Sequence, residues 1–70
     1  MALRYVIEME QEDDGRWIAE IVELPGVMAY GASREEAMAK CQALALRVLA
    51  DRIEHGEAPA GAFAVTFAAA

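Results

Sequence analysis

The sequence predicts an α+β fold of β-β-β-α-β order, a four-stranded mixed sheet with one helix packed on one face. Three observations carry that expectation. Large apolar side chains alternate with polar or small ones at the two-residue period of half-buried strands in three separate stretches. Turn-forming Gly and Pro residues divide the first half of the chain into strand-length pieces. A capping signal at Ser33 then opens a segment long enough for one substantial helix.

Each element follows in order. Over residues 3–10 the set Leu3, Tyr5, Ile7, Met9 alternates with Arg4, Val6, Glu8, Glu10, which defines strand one. Asp14-Gly15 supplies the tolerance for positive φ that a tight hairpin needs. Trp17, Ala19 and Ile21 then return antiparallel as strand two, alternating with Arg16, Ile18 and Glu20. In Glu23-Leu24-Pro25-Gly26, Pro25 fixes φ at the first corner and Gly26 accepts positive φ at the next. Residues 27–30 form a short third strand, released by Gly31. The helix is predicted to begin after Ser33, whose hydroxyl accepts from the amide of residue 36 while Glu36 reaches back to the Ser33 amide. It runs to about His55, with Gly56 placed for a left-handed cap. After the spacer Ala58-Pro59-Ala60-Gly61, alternation of Phe63, Val65 and Phe67 gives strand four. The helical crossover makes that strand parallel to strands three and one, with the order 3-2-1-4.

Seventy residues allow a single domain, taken as 1–70, and a chain of this size buries only about 60% of its unfolded surface. Such domains commonly gain stability from disulfides, metals or association. Cys41 and His55 are the sole members of their types, so neither an internal disulfide nor a Cys/His zinc set can form. Self-association as a dimer or tetramer is the remaining expectation. On the helix, Met38, Cys41, Leu44, Leu46, Val48, Leu49 and Ile53 spread over an arc of about 200°, wider than the roughly 100° stripe of a surface helix. Leu46, Leu49 and Ile53 are therefore the expected oligomer interface.

Twelve acidic against six basic side chains give a net charge of −6, which disfavours direct binding to nucleic acid and suits a basic protein partner. The N-terminus shows no basic segment leading into an apolar one, and the longest uncharged stretch, 58–70, spans 13 residues. A membrane-spanning helix needs roughly 20, so no membrane association and a cytoplasmic location are expected. Glu8, Glu10 and Glu20 fall on one face of the first hairpin, yet they share it with Arg4, Arg16, Val6 and Ile18. A solvated sheet face is the reading preferred over a hydrolytic metal site. Cys41, inside the apolar arc, reads as a small hydrophobe, and His55 reads as a partner of the last helical carbonyls. No catalytic residue, metal ligand or cofactor is expected, and the chain is read as a non-enzyme. The acidic turn Glu12-Asp13-Asp14 and Trp17 just beyond it form the expected partner-binding patch. Trp17 fits equally well as core beneath the helix.

The combination of Asp14-Gly15-Arg16-Trp17, Glu23-Leu24-Pro25-Gly26 and Gly31-Ala32-Ser33-Arg34-Glu35-Glu36-Ala37, at these spacings, closely resembles the HicB-like antitoxin family over residues 3–55. The resemblance implies a partial RNase H-like topology without that fold's catalytic carboxylates. It also implies a protein-binding antitoxin that masks HicA, a small basic toxin that cleaves messenger RNA. Many such proteins continue into a DNA-binding segment; none is expected here, so autoregulation is not carried over. An oligomeric interaction module of the same fold, serving no toxin, is the alternative.

Overall fold

The computed structural model describes residues 2–57 and 64–70. Strand β1 spans Ala2–Gln11, β2 Trp17–Glu20 and β3 Met28–Gly31; helix α1 spans Arg34–Glu54, and β4 covers Ala64–Ala69. They form one four-stranded sheet in the order β3-β2-β1-β4, with β1-β2 and β2-β3 antiparallel and β1-β4 parallel. The expected α+β class, strand order and strand directions are those observed. The 58–61 spacer and Phe63 lie outside the described residues.

The turns form for the reasons their residues supply. In the first, the Gly15 amide donates to the Glu12 carbonyl at 2.9 Å and Glu12 N donates to Arg16 O at 2.7 Å. Gly15 has φ 92°, a left-handed conformation that costs glycine little and other residues more. In the second, Val27 N donates to Leu24 O at 3.0 Å across Pro25 and Gly26, and Gly26 has φ 84°. This is a type II turn with Pro and Gly at their preferred corners. The segment does more than reverse the chain. Ile21, Leu24 and Val27 are all within 1% of complete burial, so three side chains of the connection enter the core.

Helix α1 begins as expected, with Glu36 N donating to Ser33 Oγ at 3.1 Å. The reciprocal arm differs: the Glu36 carboxylate accepts from Ala32 N at 3.4 Å, one residue before the amide anticipated. Glu36 is also drawn toward Lys40, whose ammonium lies 3.0 Å from the same oxygen. At the other end His55 is the cap, its N–H donating to Asp51 O and its Nδ1 lying 2.8 Å from that carbonyl, and Gly56 follows at φ 72°.

Twenty-one residues make a helix about 31 Å long, similar to the roughly 33 Å of a ten-residue strand. It lies on β3 and β2 and, more lightly, on β1. Its inward line is Ala37, Cys41, Ala45 and Leu49, one residue per turn. The first three are small, and they face a sheet region that is also small: Ala19, Ala29 and Gly31. With little side-chain bulk between them, helix and sheet backbones approach closely at this end. The larger Leu44, Val48, Tyr5 and Phe67 pack partly buried against this core, with Tyr5 and Phe67 stacked at 6.1 Å between ring centroids.

Candidate protein-binding surface

Covering one face of the sheet leaves the other open. Alternation sends Ile7 and Ala19 into the core and therefore sends Val6, Glu8 and Glu10 of β1, Ile18 and Glu20 of β2, and Met28 and Tyr30 of β3 the opposite way. Register then determines which of these meet. Glu8 stands opposite Glu20, Glu10 opposite Ile18, Ile18 opposite Tyr30, and Glu20 opposite Met28. Glu8, Glu10, Glu12 and Glu20, with Met9 and Ile18, line a shallow open cavity of about 230 Å³.

Placing two carboxylates directly across an antiparallel pair is unfavourable unless a cation or water screens them. The nearest basic candidate on the hairpin, Arg16, is engaged elsewhere. Its Nε lies 2.7 Å from Asp14 Oδ2, and its guanidinium carbon sits 4.8 Å from the centre of the Tyr30 ring. The Arg16 amide also donates to Asp14 at 3.0 Å, and these bonds hold the Asp14 carboxyl below its ordinary range. Among the described residues the ion pairs are Arg16 with Asp14 and Lys40 with Glu36, and His55 contacts Asp51, so none of the three reaches the sheet carboxylates. Val6, Met28 and Tyr30, 37–43% exposed, add apolar area beside the charge. The result is an acidic, partly apolar surface.

The residues expected to bind a partner do not form one patch. Glu12 joins the cavity, Asp13 stands exposed on the turn, and Asp14 is committed to Arg16. Trp17 lies on the other side of the sheet, half-buried against the core and opposite Gly31. Of its two expected readings Trp17 takes the second, packing partly buried against the core because it shares its face with Ala19. Met28 and Tyr30 join Ile18 on this face, a placement that their alternation with the inward-facing Val27 and Ala29 signals. The carboxylates Glu8, Glu10 and Glu20 do share a face, as expected.

The expected oligomer residues also divide. Leu46 is 48% exposed and Ile53 half-buried, but Leu49 is 5% exposed and packs inward. Leu49 has no surface to offer in the folded chain, since it continues the Ala37-Cys41-Ala45 line. The Cys41 thiol is fully buried; burial, followed by the nearby Glu20 carboxylate, raises its pKa and keeps it protonated. Among the described residues no group of three or more His, Cys, Asp or Glu side chains is placed to hold a metal ion. Nor is any described helix long and apolar enough to cross a membrane.

The fold and surface thus define a small sheet-and-helix domain with one acidic open face. Comparison with known proteins gives no match to a family model, a curated protein or a solved structure.

Proposed function

We propose that this chain is a cytoplasmic antitoxin-type domain of the HicB-like kind, which masks a small basic HicA-like toxin that cleaves messenger RNA. The observation that carries the reading is the open sheet face, where four carboxylates gather without a cationic partner among the described residues. A basic toxin laid against that face relieves the repulsion between Glu8 and Glu20 while covering Ile18, Met28 and Tyr30. A toxin active surface that binds RNA is necessarily cationic, so the same charges that attract the antitoxin are those it hides. The motif set adds support of a different kind. Gly15, Pro25-Gly26, Gly31 and Ser33 occupy the joints of the fold, and a partial RNase H-like topology needs the same strand order and crossover found here. No chemistry by this chain is required, since inhibition is stoichiometric covering.

Co-expression with a neighbouring short basic reading frame, followed by pull-down and growth rescue, tests the reading. Rescue by the wild type, weakened by Glu8→Lys and Glu20→Lys together, is the expected result. Absence of both binding and rescue removes it. A toxin-free interaction module of the same fold is the second reading, favoured by the uncharged outer edge of β4.

A further inference from the structure

We propose that the outer edge of β4 is a self-pairing edge: two copies of this chain join β4 to β4, antiparallel, into one continuous eight-stranded sheet. The inference is independent of any toxin partner. Ala70 N donates to Ile7 O at 2.9 Å, so in a parallel ladder the amides and carbonyls of Thr66 and Ala68, which share its parity, also point at β1. Val65, Phe67 and Ala69 must then point theirs outward, and among the described residues no strand lies beyond β4 to receive them. Edges of this kind are normally blunted by charge, proline or a bulge. Ala64–Ala69, reading Ala-Val-Thr-Phe-Ala-Ala, carries none of the ionisable or proline residues that serve this purpose.

What the edge requires is another strand, and charge distribution selects a second copy. Seven of the twelve acidic side chains fall between positions 8 and 23, whereas residues 2–7 and β4 contain one charged side chain, Arg4. Two chains of net charge −6 can therefore approach through their β4 edges while their acidic hairpins point away from the contact. The pairing is self-complementary. A two-fold axis through Phe67, perpendicular to the sheet, puts Val65 opposite Ala69 of the second copy and lets all three outward-facing residues exchange bonds. Opposed residues then lie on the same face, so both helices sit on one side of the joined sheet. On that side Leu3, Tyr5, Val65 and Phe67 are only half-buried, and the Tyr5–Phe67 stack is extended by the second copy's Phe67.

Light scattering of the full chain at high micromolar concentration, with residue-resolved amide exchange, tests the pairing. The expected particle is a dimer in which Val65, Phe67 and Ala69 amides are as slow to exchange as Thr66 and Ala68. Ala69→Pro removes an outward amide that β1 does not use, a substitution edge strands tolerate. It should halve the particle mass and leave the circular dichroism of the fold intact. A wild-type monomer overturns the proposal, as does a dimer in which exchange is fast at 65, 67 and 69 but slow at 66 and 68. A dimer that survives Ala69→Pro but dissociates with Leu46→Lys places the contact on the helix and overturns it equally. Should Ala69→Pro unfold the chain, the wild-type exchange pattern alone decides.

Discussion

A methyl group added at Gly31 would lie 2.9 Å from the Ala37 Cα and closer still to the Ala37 amide nitrogen. Both neighbours are backbone, at the start of α1, and cannot swing aside as a side-chain tip can. Gly31→Ala should therefore destabilise the fold by about 1–3 kcal/mol, against a total of roughly 4–10 kcal/mol for a chain this size. A urea midpoint within error of the wild type would show that the helix start moves freely. The sequence marks Gly31 only as a break between strand and helix; its steric role depends on where α1 comes to rest, which no local pattern states. Gly15 and Gly26 are different, because their turns need positive φ and the neighbouring Asp and Pro residues announce those turns. Asp14 carries a second prediction. Its carboxyl titrates below the ordinary 3.8, chiefly through the Arg16 amide and next through the Arg16 side chain. A depressed folded-state pKa means the contribution to stability is complete above the unfolded value and fades as pH falls below 3.8 through the folded one. In an NMR titration Arg16→Ala should raise the Asp14 midpoint only partway, since the residue 16 amide still donates. An unmoved midpoint would refute the side-chain share of the effect.

The helix shows how an element can be legible in extent and misleading in orientation. Its cap, length and terminal Gly56 follow from residues with known local geometry. Its inward face does not follow from apolar weight, because Ala37 and Ala45 carry little of it and yet are completely buried. Leu46, a stronger hydrophobe, points away. What decides the face is complementarity with the small residues Ala19, Ala29 and Gly31 across the layer, which favours a close line over a bulky one. Two leucine-related substitutions separate these influences. Ala45→Leu introduces bulk at a completely buried position on the inward line and should cost about 1–3 kcal/mol. Leu46→Ala removes more apolar atoms in sequence terms but from an exposed position, and should change stability by no more than about 0.5 kcal/mol. Denaturant unfolding of both variants checks the contrast, and a larger loss for Leu46→Ala would invert the assigned orientation.

At the scale of the whole molecule, one helix serving a two-faced sheet means that half of the sheet's surface must meet solvent or another macromolecule. Strand order and alternation were readable because β-structure alternates strictly and crossover connections are right-handed. That fixed the carboxylates on one face but gave no information about pairing between strands. Only the register reveals that Glu8 stands directly against Glu20. The proposed function draws on that juxtaposition, because two like charges set across one strand pair favour the approach of a cationic surface. Converting Glu8, Glu10 and Glu20 together to Gln should leave the isolated fold as stable as before, or slightly more so, because a like-charge pair is removed. The same triple variant should bind a basic partner more slowly and with a flatter dependence on ionic strength, since long-range attraction acts mainly on association and is screened over about 8 Å at physiological salt. Stopped-flow association across a salt series, with thermal unfolding measured in parallel, distinguishes the two effects. If the association rate and its salt slope are unchanged while the fold is intact, the open face is solvated surface and the partner docks elsewhere.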